Sequence, residues 1–315
     1  MRVAAVDLGT NTTRLLVADV ADGRVDELHR ESRITRLGES VDTRHRLLPA
    51  PIARVRNALS DYRRTLESLG AERTLAIATS AVRDAENGEA FLGEVEWSYG
   101  FATRLLAGDD EALLTRRGVA SGRELSAATL VVDIGGGSTE LTVDGFHTSL
   151  ELGSVRHTER FLASDPPTDE ELARCADAVR VLLSERVPAA IRAGTRAAVA
   201  VAGTVTTLAA LDLGLERYDR DRVDGHRLTA AAVRVQLGRL AALPLAERRL
   251  LPALEPERAP VIVAGAVILA ELLDAFALDA ADVSERDILD GAALAAAELP
   301  AQEEGAAPPG AFTCC

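Results

Sequence analysis

The segment VVDIGGGSTELTVDG, residues 131–145, places two acids, Asp133 and Glu140, on either side of three consecutive glycines. Gly135, Gly136 and Gly137 strip the side chains from a chain reversal, so successive N–H groups can turn into one concavity and accept an anion. The hydroxyls of Ser138 and Thr139 add donors to the same place. Asp133 closes an apolar run, where a carboxylate needs a cation or a fixed water beside it. Oxygen ligands next to a phosphate favour Mg²⁺. Glu140 lies two strand positions from Ser138 and therefore shares its face. A tight hairpin turn that binds nothing accounts equally well for any one such cluster, so the reading needs further copies.

One copy is found at the start of the chain, in VDLGTNTTRLLVAD, which aligns without a gap. Asp7 falls on Asp133, Gly9 on Gly135, Thr12 on Ser138 and Arg14 on Glu140. Asp7 is a third candidate for the metal, and the turn Gly9, Thr10 and Asn11 a second phosphate loop. Arg14, on the face equivalent to that of Glu140, can meet phosphate oxygens directly; a solvated surface pair is the competing reading for both. A third turn, Gly203 and Thr204, follows an apolar strand and offers its amides at a helix N-terminus. In ATSAVRDAEN, Arg83 can clamp a phosphate or pair with Asp84 or Glu86. The cluster Asp109, Asp110 and Glu111 opens a helix, where acids also serve as caps or dipole partners; the residues alone do not separate a third such acid from a general base at Glu111.

These turns need scaffolding, and the chain supplies it twice. Each copy reads as a buried strand, a tight turn and an alternating second strand, a hairpin signature. In the first half a third strand spans 24–31, a helix 52–69, a strand 75–78, a helix 89–99, a strand 102–106 and a helix 110–120. A polar stretch, 121–126, precedes the second copy. There, strands span 129–143 and 147–152, then a helix runs 169–186 behind a Thr168–Glu171 capping box. A strand at 197–201 and helices at 229–241, 260–276 and 287–298 follow. Two domains result, 1–124 and 125–299, with a flexible tail at 300–315.

Composition narrows the chemistry. With 35 basic and 49 acidic residues the 315-residue chain carries −14, which argues against broad attraction to nucleic acid or an anionic membrane. Every basic residue is arginine, so there is no lysine for a Walker-type loop or a Schiff base. No leader precedes the apolar start, and the longest apolar run, 259–270, is too short to span a bilayer; a soluble cytoplasmic protein is expected. Cys175, Cys314 and Cys315 give neither metal spacing nor a disulfide framework. The terminal pair reads as tail, with lipidation as the alternative.

The ordered set VDLGTNTTRLLVADV, ATSAVRDAENGEAFL, GDDEALL, VVDIGGGSTEL, LELGSVRHTERF, VAVAGTVTTLAAL, RAPVIVAGAVIL and SERDILDGAAL resembles the Ppx/GppA phosphatase family over nearly the whole chain. That resemblance implies an α/β, actin-like ATPase fold: two ribonuclease-H-like domains around a central cleft, the last helix often returning to the first. It implies Glu111 as the catalytic glutamate that activates water against a terminal phosphoryl group. Asp133 and Glu140 would hold Mg²⁺ or another divalent cation and the attacking water, with Glu140 thereby also catalytic. The loops Gly9–Asn11, Gly135–Ser138, Gly203–Thr204 and Arg83 would contact phosphate, with Arg14 a weaker match. Expected substrates are inorganic polyphosphate or, as the alternative, pppGpp of the stringent response, and a homodimer is an expected assembly. Thr10 stands where many members have serine, Asp109 and Asp110 replace a glycine and acid, and the helical extension of larger members is lacking. A catalytically weak polyphosphate or alarmone sensor, and a sugar or acetate kinase of the same superfamily, are the rival readings. Against the kinase stands the single Gly265 in VIVAGAVIL, where a paired-glycine adenosine motif is usual.

Overall fold

Both acid-bearing segments fold as antiparallel hairpins with one register. In the computed structural model, which describes residues 1–300, β1 (Arg2–Leu8) pairs with β2 (Thr12–Ala21) so that Asp7 lies directly opposite Arg14. Of the tail expected at 300–315, residues 301–315, with Cys314 and Cys315, lie outside the described residues. β2 turns into β3 (Arg24–Ile34) through Asp22 and Gly23, whose φ of 49° and 75° suit a two-residue hairpin turn. There follow α1 (Val41–Arg44), α2 (Pro49–Ser68), β4 (Arg73–Ala78), α3 (Ser80–Arg83), α4 (Gly88–Tyr99), β5 (Ala102–Leu105) and α5 (Gly108–Ala120). The strands form one sheet in the order β3-β2-β1-β4-β5, with β4 parallel to β1 and β5 parallel to β4.

Helix α2 opens with proline, whose missing N–H costs nothing at a first turn. It buries Val55, Leu59, Tyr62 and Leu66 at helical spacing, and the Tyr62 hydroxyl donates to the Thr13 carbonyl at 2.8 Å. Strand alternation divides β1 between two cores: Ala4, Val6 and Leu8 pack with α2 residues, while Val3 and Ala5 face the other way.

Contacts divide the described residues into two units, Met1–Arg123 joined by residues 288–300, and Glu124–Asp287. The second contains β6 (Thr129–Ile134), β7 (Thr139–Val143), β8 (Phe146–Leu150), α6 (Ser154–Phe161), α7 (Asp169–Arg186), α8 (Ala189–Gly194), β9 (Ala197–Val201) and α9 (Ala202–Asp212). It continues with α10 (Arg220–Val223), β10 (Arg227–Thr229), α11 (Ala230–Ala242), α12 (Leu245–Arg248), α13 (Ile262–Ala275) and β11 (Ala280–Val283). Its sheet, β10-β11-β9-β6-β7-β8, read from β8 repeats the order of the first, with β10 added antiparallel at the far edge. The central helix α13 is buried along its length from Ile262 to Ala270, the mark of an apolar helix enclosed on all sides. α7 carries the expected capping box of Thr168 and Glu171.

The last helix, α14 (Ile288–Glu298), belongs to the first unit and packs on β1 and α5. Its Ile288, Leu289 and Ala292 complete the core that begins with Val3, Ala5, Leu16, Leu75 and Ile77. Asp290 accepts from Arg30 at 2.8 Å, and Arg73 donates to the Ala297 carbonyl at 2.8 Å. This duplicated α/β arrangement is the actin-like ATPase fold. Among the described residues no helix is long and apolar enough to cross a membrane.

Some elements differ from expectation. β10, β11 and helices α6 and α8 are not among those read from sequence, nor are the one-turn helices α1, α10 and α12; pieces of three to eight residues are too short for periodicity to register. Helix α5 starts at Gly108 with Ala107 as N-cap and no side-chain cap, so Asp109 and Asp110 favour the helix through its dipole, not by capping.

Candidate active site

In the second unit the hairpin brings Asp133 directly opposite Glu140, and Glu140 directly opposite Ser149 on β8. The three make a row across the sheet, in which the Ser149 hydroxyl donates to Glu140 Oε1 at 2.7 Å. Both acids are buried, at 7% and 2% exposure. Like charges directly opposite in a ladder repel, which makes the pair a natural seat for a cation.

The glycine loop between them is fixed from behind by the start of α6. Ser154 N donates to the Gly135 carbonyl at 3.0 Å, Val155 N and Arg156 N to that of Gly136 at 2.8 and 3.1 Å, and Arg156 Nε to that of Gly137 at 2.7 Å. In a trans peptide the carbonyl and the following N–H point opposite ways. Three carbonyls turned toward α6 therefore turn the amides of Gly136, Gly137 and Ser138 away from it, onto one side. Three convergent donors form a nest for an anion. The approach is close enough to require glycine at 153, where a Cβ would lie 2.1 Å from the Gly136 carbonyl oxygen.

The first unit repeats this device with other parts. Gly9 N donates to the Thr12 carbonyl at 3.1 Å, as Gly135 N does to that of Ser138 at 3.0 Å. The loop after β3 donates to the turn: Thr35 N and Arg36 N to the Asn11 carbonyl at 3.1 and 2.9 Å, Gly38 N to the Thr10 carbonyl at 2.8 Å. The amides of Asn11 and Thr12 are turned the other way by the same logic. Asn11, 7% exposed, leaves its side-chain Nδ2 without a hydrogen-bond partner among the described residues, a donor suited to an anion. Gly38 sits between Thr10 and Ala81, tying this turn to α3.

Arg83, at the end of α3, pairs with neither Asp84 nor Glu86. Its Nη1 donates to the Leu106 carbonyl at 2.8 Å and to Glu111 Oε2 at 3.2 Å. Glu111 is 7% exposed in the first turn of α5, so a buried carboxylate and a half-buried guanidinium meet past the carboxyl ends of β4 and β5. In open α/β sheets that edge is where ligands bind. Arg14 and Asp7, read as a phosphate contact and a metal ligand, bind each other: Arg14 Nε and Nη2 reach Asp7 Oδ2 at 2.9 and 2.8 Å.

Gly203 and Thr204 lie in the first turn of α9, past β9, which runs parallel to β6 with Val201 beside Asp133. The sequence reading missed their neighbour Arg258. A Cβ on Gly203 would come within 2.0 Å of Arg258 Nη1, so the glycine exists to admit a guanidinium at this helix start. The signal available was the RAP triplet ahead of α13. Gly265 is explained by packing, since a Cβ there would meet Thr204 Oγ1 at 2.6 Å. Cys175 takes no part: burial, with Glu271 nearby, pushes its thiol up to about 12.

Among the described residues no group of three or more His, Cys, Asp or Glu side chains is gathered as a ligand set. The donors present fit Mg²⁺ nonetheless, because that ion is ordinarily held by one or two carboxylates and completed by water and phosphate oxygens. Asp133 and Glu140 are such a pair.

The chain matches the model of the Ppx/GppA phosphatase family over residues 16–297. It is 40% identical to exopolyphosphatase 2 of Mycobacterium tuberculosis over 91% of this chain and 95% of that one. It is 32% identical to exopolyphosphatase 1 of Mycobacterium bovis over 90% and 84%. Among solved structures, an exopolyphosphatase-like protein superposes with a TM-score of 0.88 at 34% identity, covering 93% of this chain and 98% of the other. The Ppx/GppA enzyme of Aquifex aeolicus gives 0.78 at 33%, over 92% and 98%.

Proposed function

This chain belongs to the Ppx/GppA phosphatase family and is a phosphoanhydride hydrolase, and from that premise we propose that it is an exopolyphosphatase, removing the terminal phosphoryl group of inorganic polyphosphate with water as acceptor. The observation that carries this reading is the Gly136–Ser138 amide nest lying between two register-paired acids. An anion seat and a cation seat within one hairpin suit a metal-bound phosphate chain better than either ligand alone.

Glu111 accepts a proton from the attacking water, while Arg83 fixes the position of its carboxylate. The water oxygen bonds to the terminal phosphorus as the bridging P–O bond opposite breaks, and the shortened chain departs with the bonding pair. In the second unit the amides of Gly136, Gly137 and Ser138 hold phosphate oxygens, Gly203 and Thr204 offer a helix start, and Arg258 adds charge there; in the first, the side chain of Asn11 offers a further anion donor. Asp133 and Glu140 would hold Mg²⁺, which when bound neutralises phosphate oxygen charge. Asp7, expected from the sequence as a third metal ligand, has its charge matched by Arg14 within the first unit.

Phosphate release from short polyphosphate, long polyphosphate and pppGpp, each with and without Mg²⁺, tests the reading. Mg²⁺-dependent release from polyphosphate is expected. Release from pppGpp alone moves the assignment to a guanosine pentaphosphatase, and binding without release to a sensor.

A further inference from the structure

One residue grips the glycine loop twice. The backbone N–H of Arg156 donates to the Gly136 carbonyl at 3.1 Å, and its side-chain Nε donates to the Gly137 carbonyl at 2.7 Å. Two consecutive peptide planes are thereby fixed by a single side chain and its own amide. Arg156 is 9% exposed, and its Nη1 lies 3.9 Å from Oε2 of Glu151, an exposed side chain. It sits behind the loop, on the side from which the three amides point away.

The corresponding carbonyls of the first unit, Thr10 and Asn11, are held by backbone amides alone. Among the described residues, a guanidinium takes this position in the second unit and not in the first. A charged donor on a carbonyl polarises the whole peptide, so the N–H on its other end becomes a stronger donor. For Gly137 that N–H is the amide of Ser138. An arginine also fixes a direction that a lysine, a point charge on a flexible stem, does not.

We propose that Arg156 is a positioning residue for phosphate binding: without touching substrate, it sets the orientation of the Gly137–Ser138 peptide and strengthens its donor. The proposal rests on the reading of this hairpin as the phosphate site. It predicts weaker phosphate-chain binding in a protein that remains folded.

The test uses the full chain carrying Glu111→Gln, so that ligand is not consumed, and measures calorimetric binding of inorganic tripolyphosphate with Mg²⁺ present. Adding Arg156→Gln is expected to raise Kd about tenfold or more, in line with the loss of one oriented donor, in a protein still fully folded at the assay temperature by its melting curve measured without phosphate. Arg156→Lys should recover part of the affinity, and free guanidinium should recover part of it in Arg156→Ala. Tripolyphosphate bound equally by the parent and by both Arg156→Gln and Arg156→Lys overturns the inference and leaves the exopolyphosphatase reading intact. A parent that binds no tripolyphosphate overturns both. Should Arg156→Gln fail to fold, Arg156→Lys decides: a raised Kd in a protein folded at the assay temperature supports the proposal, and an unchanged Kd refutes it.

Discussion

Opposite the strand-ending acid of the first hairpin stands Arg14; opposite that of the second stands Glu140. The hairpins otherwise agree in register, in the hydrogen bond that closes the turn, and in having a later segment donate to the turn carbonyls. One pair neutralises itself, with Arg14 and Asp7 2.8 Å apart. The other sets two buried acids face to face, an arrangement that a bound cation favours. The difference teaches that a duplicated frame leaves each copy free to carry a separate part of the chemistry. In this assignment the first keeps the proton acceptor and an anion donor, Asn11, and the second the metal seat and the amide nest.

The hardest blow to that division is Glu111→Gln. Phosphate release should fall about 10²- to 10⁴-fold, the range expected for loss of a general base, while polyphosphate binding persists in a calorimetric titration. Undiminished turnover breaks the assignment of the first unit.

Next come two substitutions expected to act in opposite directions. In the absence of Mg²⁺, Arg14→Gln should lower unfolding stability by about 2 kcal/mol, because it removes one member of a largely buried pair. Under the same conditions Glu140→Gln should leave the melting midpoint unchanged or raise it, and should abolish the rise that Mg²⁺ brings to the parent. Two losses of similar size would show that the hairpins do not differ as described.

Smaller effects separate the two supports of the turns. Gly153→Ala drives a Cβ into the backbone of Gly136 and Gly137, whereas at Gly38 the nearest atom is the methyl end of the Thr10 side chain, which can rotate. Urea unfolding should report a cost of about 3 kcal/mol for the first and about 1 kcal/mol for the second, and phosphate release should suffer mainly in Gly153→Ala.

Least of all, and confined to folding, is the cap of α7. Thr168→Ala should cost about 1 kcal/mol with activity unchanged. The Thr168 backbone N–H, then those of Ala163 and Ser164 and the Ser164 hydroxyl, hold the Glu171 carboxyl below the ordinary glutamate range. A depressed folded-state value contributes stability that is complete above the ordinary value and disappears as pH falls through the depressed one. Glu171→Gln should therefore flatten the acid side of the stability profile, and an unaltered profile would remove the cap from the account.

The hairpins and their alignment were legible because their spacing is local, but the ion pair across the first was not, since Asp7 and Arg14 read separately as ligand contacts. Glu111, by contrast, was set apart from its acidic neighbours only by family resemblance, and its pairing with Arg83 joins segments 28 residues apart. The grip of α6 on the glycine loop, the loop after β3 on Asn11, and Arg258 at Gly203 left no periodic trace. Each of these contacts is marked by a glycine, at 153, 38 and 203, whose reason is a neighbour distant in sequence. A missing side chain says that something comes close, but not what.

The final helix has a consequence for how the chain is made. Because α14 supplies one wall of the core that includes β1, that face of β1 waits until the whole second unit has been synthesised before it is covered. The intervening unit, whose elements are contiguous in sequence, can close first. The sheet of the first unit thus spends that interval with Val3, Ala5, Leu16, Leu75 and Ile77 uncovered. A chain halted at residue 287 should hold a finished second unit beside an unfinished first one, and depend on a chaperone to stay in solution.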